Sequence, residues 1–167
     1  MSKVLPERLD IARLADSQAM LDGTVPVVRF TRLVGHLAST AGAVHVTLGF
    51  SREDGLEVVR GRIQGQLTLV CQRCLGGVDL PVVAEVDLVR VANEIEAGSV
   101  IGTHDPDVAP NRELVLAELV EDEVLLALPL VPVHSGDADC ATRTADASSE
   151  STTERSPFAA LTALKKN

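Results

Sequence analysis

Residues Val44–Gly55, with the sequence VHVTLGFSREDG, show the clearest strand pattern in the chain. Its apolar side chains, up to Phe50, recur at every second position, which is the period of a β-strand with one buried face. The polar residues that follow, ending in Asp54 and Gly55, are typical of a hairpin turn. We therefore expect a β-hairpin here, and the neighbouring segments can be interpreted outward from it.

Two long strands are predicted after this turn. Alternating apolar residues continue to Cys71, interrupted by Gly61 and Gly65, which predict bulges or bends. The stretch Val78–Val91 is again alternating and rich in β-branched residues. Cys71 and Cys74 are therefore expected on a turn that joins two long strands.

One core helix is predicted in the first 134 residues. Apolar residues recur at helical spacing over about 112–128, with Asn111 as the expected N-cap. The lead-in at 6–22 is either a short helix or an extended segment. Glycines and prolines at 94–110 predict a loop or short turns, and 130–134 is expected to be an extended strand.

The sequence predicts one folded domain with a tethered tail. Residues 1–134 are expected to form an α+β domain, mainly an antiparallel β-sheet or a partly open barrel. Residues 135–156 have almost nothing to bury and predict a disordered acidic linker. Residues 157–167 predict a short amphipathic helix that either caps the core or docks on another protein. Its apolar positions are Phe158, Leu161 and Leu164.

Composition narrows the classes of function. The 167 residues include three Phe but no Trp or Tyr, which argues against binding single-stranded nucleic acid by stacking. The net charge is −9, and the acid is concentrated after residue 79, which suits a basic protein partner. No apolar run is long enough to span a bilayer and no signal peptide is recognised, so a cytoplasmic protein with reduced cysteines is expected.

The paired thiols are the sharpest chemical feature. Cys71 and Cys74 have the spacing of a zinc knuckle, with a glycine shortly after the second cysteine to permit left-handed backbone. His134 and Cys140 are the remaining ligands of suitable type and would complete a Cys3His zinc site by ordering the start of the linker. The alternative is two structural thiols on a turn, with His134 and Cys140 unrelated to them.

A thiol-redox pair is a second chemical interpretation of Cys71 and Cys74. Redox Cys-x-x-Cys pairs begin a helix after a strand, whereas strands are predicted on both sides of this pair. The carboxylates around Glu118 and Asp122 are interpreted as the solvent face of a helix. The sequence contains neither a phosphate-binding loop nor a catalytic triad, so we expect that the protein is not an enzyme.

Three segments, in their order along the chain, resemble one family. They are Leu69–Leu75, Leu119–His134 and Pro157–Leu161, and the family is YceD, the large ribosomal RNA subunit accumulation proteins. The Cys-x-Arg-Cys turn and the run from Val-Glu-Asp-Glu to Pro-x-x-Pro are its most specific parts, and the similarity covers nearly the whole chain. Family members carry a cysteine at the position of His134 and several more where this chain has Cys140 alone.

The resemblance implies a bacterial, non-enzymatic factor that supports 23S ribosomal RNA accumulation and large-subunit biogenesis. It would act as an adaptor or assembly factor on a subunit precursor, a ribosomal protein or an rRNA-processing factor. A zinc-stabilised RNA-binding module of other function stays open as an alternative. Charge and position give the candidate contacts: Arg60, Arg62 and Arg73 for RNA, and Glu118, Glu121, Asp122, Phe158, Leu161 and Leu164 for a protein partner.

Overall fold

The computed structural model describes residues 5–102, 104–109, 113–136 and 140. The chain divides into two compact units, Met1–Val133 and His134–Asn167. All helices and strands given below belong to the first unit. The predicted C-terminal motif at 157–167 and most of the predicted linker at 135–156 lie outside the described residues, so both stay predictions.

The described part of the first unit contains short and long strands with three α-helices between them. In chain order they are β1 (Arg8–Asp10), α1 (Ile11–Asp16), β2 (Met20–Pro26), β3 (Ala43–Glu53), β4 (Leu56–Val70), β5 (Gly77–Val91), α2 (Glu94–Val100), β6 (Asp105–Val108), β7 (Glu113–Val115) and α3 (Leu116–Ala127). One sheet has the order β2-β3-β4-β5-β6 and is antiparallel except for its last pair, while β1 pairs with β7. The predicted α+β class, with a mainly antiparallel open sheet, is confirmed.

The hairpin of β3 and β4 has the predicted turn. Its two loop residues, Asp54 and Gly55, have φ values of 49° and 84°. Positive φ at both positions gives the turn type whose twist matches that of the two strands. The predicted alternation in β3 is also confirmed, since the four alternating apolar residues are buried: Val44, Val46, Leu48 and Phe50.

β4 and β5 form a long hairpin whose pairing is uninterrupted. Gly61 does not form the predicted bulge, because its register with both β3 and β5 continues without a break, and Gly65 forms none against β5, with which it pairs in register. Gly61 is instead a point of close approach between backbones. A Cβ there would overlap the carbonyl oxygen of Thr47 and lie 2.9 Å from the Cα of Leu48, so a side chain would push β3 away.

The sheet buries apolar side chains on both faces. The larger core includes Val46, Ile63 and Ala84, which stand next to one another on β3, β4 and β5. The smaller core lies on the opposite face, where α2 covers the ends of β4 and β5. Its members are Val58, Val89, Val91, Ala97 and Val100. β5 therefore changes its buried face near Leu88.

The core helix begins later than predicted. Glu113–Val115 pair with Arg8–Asp10 as β7 and β1, and α3 starts at Leu116 with Val115 as its N-cap. Asn111 is therefore not the N-cap. The physical reason is that β1 satisfies the backbone hydrogen bonds of this segment in an extended conformation, which competes with the first helical turn.

The segment predicted as a loop at 94–110 contains α2 and β6. The side chain of Asn93 accepts hydrogen bonds from the backbone N–H groups of Ile95 and Glu96, at 3.1 and 3.0 Å. The side chain of Glu96 in turn accepts from the N–H of Ala92. This reciprocal capping starts α2 despite its short length. The lead-in at 6–22 contains both of the predicted alternatives, because the short helix α1 lies there between two extended segments.

Candidate metal centre and charged surfaces

Cys71 and Cys74 lie on the turn between β4 and β5, as predicted. The N–H of Cys71 donates to the carbonyl of Gly76 at 2.7 Å, and the N–H of Leu75 donates to the carbonyl of Cys71 at 2.9 Å. Left-handed backbone is found at Leu75, with φ of 59°, rather than at the glycine that follows it. The turn buries Cys71 and leaves Arg73 exposed at its tip.

The segment that follows α3 returns to this turn. The backbone N–H of Gln72 donates to the carbonyl oxygen of Pro132 at 2.8 Å. The prediction of a strand at 130–134 is wrong, because the segment is irregular. Pro129 and Pro132 have no N–H to contribute to a ladder, and the segment is held at the turn by the carbonyl of Pro132 instead.

The other two candidate ligands, His134 and Cys140, lie next to each other within the second unit. The Sγ of Cys140 lies 3.3 Å from the Nδ1 of His134. Cys140 is buried, with 5% of its surface exposed, and His134 is half-buried. The predicted His-x5-Cys pair therefore brings a thiol and an imidazole together.

All four predicted ligands are close enough to share one ion. The sulfurs of Cys71, Cys74 and Cys140 and a ring nitrogen of His134 all lie within 4.8 Å of one another. Ligand atoms about 2.3 Å from a tetrahedral zinc are separated by roughly 3.8 Å, so small side-chain shifts would complete the geometry. The residues present therefore fit a Cys3His metal site.

The two sheet arginines predicted to contact RNA are paired with carboxylates on the sheet. Arg60 is ion-paired with Glu53, and its Nε lies 3.2 Å from an oxygen of Asp87. The Nε of Arg62 lies 3.2 Å from an oxygen of Glu85. The hydrogen bond from Arg60 lowers the pKa of Glu53. This local compensation counts against a basic strip on these strands, and RNA contact by the two arginines stays a prediction.

Only part of the predicted acidic face of α3 is exposed. Glu118 is exposed, but Glu121 is 2% exposed, and its Oε1 accepts the backbone N–H groups of Arg32 at 2.6 Å and Leu33 at 2.8 Å. Asp122 is ion-paired with the guanidinium of Arg32. The prediction that Glu121 contacts a partner is therefore wrong, because its carboxylate holds the chain at residues 32–33 against α3.

Burial affects the two neighbouring glutamates of α3 in opposite ways. Burial alone raises the pKa of Glu121, but the backbone N–H groups of Leu33, Thr31 and Arg32 more than offset it, and the pKa lies below its ordinary value. Burial raises the pKa of Glu123, and the nearby carboxylates Asp105 and Asp122 raise it further. The surroundings of Glu123 therefore disfavour its charged form.

Sequence reasoning did not single out Arg90 of β5. Its side chain is 9% exposed, and its Nη2 lies 3.3 Å from Asp107 Oδ2 and from the carbonyl of Glu113. Its Nε and Nη1 have no hydrogen-bond partner in the described part of the chain. Arg90 lines a cavity of about 380 Å³ together with Glu118 and Glu123. An arginine inside an otherwise apolar strand end is the signal that could have identified it.

Two further sequence predictions concern the tail and the membrane. Phe158, Leu161 and Leu164 lie outside the described residues, so their predicted contact with a partner stays a prediction. Of the helices within the described ranges, none combines the length and the apolar character needed to cross a bilayer.

Fold and site together define an α+β protein built on a long β-hairpin whose turn carries a Cys-x-x-Cys pair. The family model described as "Large ribosomal RNA subunit accumulation protein YceD" matches residues 59–165, a range that includes this turn, α3 and all four candidate ligands. The chain belongs to the YceD family.

A curated relative supports the same membership. The chain is similar to the Large ribosomal RNA subunit accumulation protein YceD of Haemophilus influenzae, with 32% identity over 133 residues. The alignment covers 77% of this chain and 76% of the relative. No solved structure matches the chain.

Proposed function

We propose that this protein supports the accumulation of 23S ribosomal RNA and the assembly of the large ribosomal subunit in the bacterial cytoplasm. It acts without catalysing a reaction, as an adaptor or assembly factor that binds protein, RNA or both. Family membership is the observation that carries this proposal, since the family's name describes this role.

The exposed charged residues support a role through surfaces. Arg73 stands at the exposed tip of the cysteine turn, and a guanidinium group is suited to contact an RNA phosphate. Glu118 is an exposed member of the predicted acidic face and, unlike Asp122, has no ion pair with Arg32, so it suits a basic protein. We propose Arg73 for RNA contact and Glu118 for protein contact.

The test is disruption of the gene in its own host, followed by complementation. We expect the ratio of 23S to 16S rRNA to fall and large-subunit precursors to accumulate on sucrose gradients, with recovery on wild-type complementation. Arg73→Ala should restore the ratio less well than Arg13→Ala, a control at another exposed arginine. An unchanged rRNA ratio after disruption would contradict the proposal.

We also propose that Cys71, Cys74, His134 and Cys140 hold a zinc ion with a structural role. Two observations support it: the four ligand atoms lie within 4.8 Å of one another, and the donors are the three thiols and one imidazole that structural zinc sites use. The bound ion would be held by the thiolates of the three cysteines and the imidazole of His134. Thiolate ligation also suits a reducing compartment.

Metal analysis of purified protein tests the zinc proposal. We expect about one zinc per chain in the wild type and in His36→Gln, a control at an exposed histidine, and far less in His134→Gln and Cys71→Ser. Wild-type protein that is metal-free when purified under reducing conditions would contradict the proposal. If such protein also had a lowered thiol pKa, the thiol-redox alternative would be favoured.

A further inference from the structure

β5 has an open edge over much of its length. β6 pairs only with Leu88–Val91 of β5. Between Asp79 and Asp87, β4 lies on one side, and no other strand of the described chain pairs on the opposite side. This open edge is a place where another strand could be added.

The register shows which backbone groups face outward. The N–H of Cys71 donates to the carbonyl of Gly76, so even-numbered residues of β5 face β4 and odd-numbered residues face away. The carbonyl of Val91, an odd-numbered residue, accepts a hydrogen bond from the N–H of Ala109 on the side away from β4, which agrees with this alternation. No hydrogen bond to the outward groups is present among the described residues. They are the carbonyls of Pro81, Val83 and Glu85 and the N–H groups of Val83, Glu85 and Asp87.

Both ends of the open stretch are defined. Pro81 has no N–H and therefore offers no outward donor, and β6 occupies the edge from Leu88 onward. The stretch 81–87 therefore spans about 23 Å at roughly 3.3 Å per residue. The side chain of Val83 stands in it with 51% of its surface exposed. A short slot of this kind limits indiscriminate pairing with other edges.

An acidic cavity lies where the open stretch meets β6. Its volume is about 250 Å³, and it is lined by Asp87, Gly102, His104 and Asp105. An oxygen of Asp87 lies 3.0 Å from the Nδ1 of His104 and 3.2 Å from the Nε of Arg60, whereas Asp105 has no ion-pair partner within the described ranges, so Asp105 is the carboxylate left for a cation of the partner. Negative charge at the end of the slot favours a partner that brings a cation.

We propose that the open edge at 81–87 binds an extended segment of a basic partner protein by strand addition, with one Lys or Arg side chain in the cavity beside Asp87 and Asp105. Main-chain hydrogen bonds supply the affinity, and the basic side chain sets the position of the segment. The inference deepens the proposed function, on which it rests, by naming the chemistry of the protein partner.

The test uses the purified full-length protein and a labelled seven-residue peptide that alternates lysine with valine and is blocked at both ends. Binding is measured by fluorescence anisotropy at low salt, and amide protection by hydrogen exchange. Val83→Pro removes an outward N–H and leaves the bonds to β4 in place, so we expect binding at least about tenfold weaker. Val83→Ala keeps the N–H and should bind within about threefold of the wild type. Asp105→Asn should weaken binding.

Modified peptides provide controls that do not depend on a protein variant. Two peptides are compared, one N-methylated at its odd-numbered residues and one at its even-numbered residues. One of them should lose binding and the other should keep it, because only every second backbone amide of the peptide faces the edge. A peptide with glutamate in place of lysine should not bind. These comparisons remain decisive if Val83→Pro fails to fold.

Four results would overturn the edge proposal. They are no binding of the lysine peptide, equal binding of both methylated peptides, displacement of the peptide by a single-stranded RNA oligonucleotide, and a wild-type dimer that Val83→Pro dissociates. Each is measured in vitro and is independent of rRNA levels in cells. Failure here with normal loss of 23S rRNA on gene disruption would therefore remove the edge proposal and leave the proposed function intact.

Discussion

Replacing Glu121 tests how α3 is attached to the chain at residues 32–33. Its buried carboxylate accepts the N–H of Leu33, which is itself 1% exposed, and the N–H of Arg32, whose side chain reaches solvent. Glu121→Ala leaves these two N–H groups without an acceptor. The cost in the free energy of unfolding is about 1–3 kcal/mol for the buried donor and less for the other. We expect a loss of about 3–4 kcal/mol in the free energy of unfolding. Glu121→Gln keeps one acceptor oxygen but loses the charge, so we expect a smaller loss of about 1–2 kcal/mol in the free energy of unfolding.

Urea denaturation followed by circular dichroism measures these losses. The matched control is Glu118→Gln, one turn earlier on the same helix, where the exposed carboxylate makes no hydrogen bond in the described part of the chain. Its effect should stay within about 0.5 kcal/mol. If Glu121→Gln and Glu118→Gln have the same effect, the hydrogen bonds of Glu121 do not stabilise the fold as argued here.

The pH dependence gives a second check on Glu121. Its pKa is lower in the folded protein than in the unfolded chain, so its contribution is fully present above the unfolded value of about 4.3. The contribution is lost as pH falls through the folded pKa. The stability difference between wild type and Glu121→Gln should therefore shrink between about pH 4.3 and more acidic conditions. A difference that is constant from neutral to acidic pH would refute the electrostatic argument.

Two further predictions concern packing and charge. Gly61→Ala should lower the free energy of unfolding by about 3 kcal/mol or more in urea melts, because the added Cβ would overlap the carbonyl oxygen of Thr47. The control is Gly98→Ala, in an open position of α2, which should be neutral or stabilising by about 0.5–1 kcal/mol. Equal effects of the two alanines would contradict the packing argument. Glu123→Gln should raise the urea midpoint at pH 7. Burial and Asp105 raise the pKa of Glu123, so its charged form destabilises the fold at that pH. The gain should disappear as the pH falls below the pKa of unfolded Glu, about 4.3, where the carboxyl group is protonated in both states. A midpoint lowered at pH 7 would show that the carboxylate is stabilising.

The strands could be predicted because their signals are local. The alternation from Val44 to Phe50 and the turn at Asp54-Gly55 each lie within a few residues, and the structure has both. α2 is not predicted by the glycines and prolines around it, although its capping pair, Asn93 and Glu96, is local. The signal for this helix is therefore present in the sequence.

Other features depend on contacts that no local pattern contains. β7 is extended because it pairs with Arg8–Asp10, more than one hundred residues earlier in the chain. Glu121 stands in an acidic run with Asp122 and Glu123, and its burial is set by donors at Arg32 and Leu33. The local sequence therefore does not distinguish this buried carboxylate from an exposed one on the same helix.

The candidate metal site was predictable in its ligands and not in its geometry. Residue type and spacing singled out Cys71, Cys74, His134 and Cys140, and the structure brings all four together. What the sequence could not supply is the backbone bond from Gln72 to Pro132, which holds the chain just before His134 at the cysteine turn. This contact joins segments sixty residues apart, so spacing alone could not indicate it.

The change of buried face in β5 also limits how the length of this protein can vary. Residues before Leu88 contribute to the larger core and residues after it to the smaller one. Deleting or inserting a single residue within the strand would turn every later side chain to the opposite face and expose one core or the other. We therefore expect homologous chains to differ in length in their loops, and the spacing between Val82 and Val91 to tolerate no insertion or deletion.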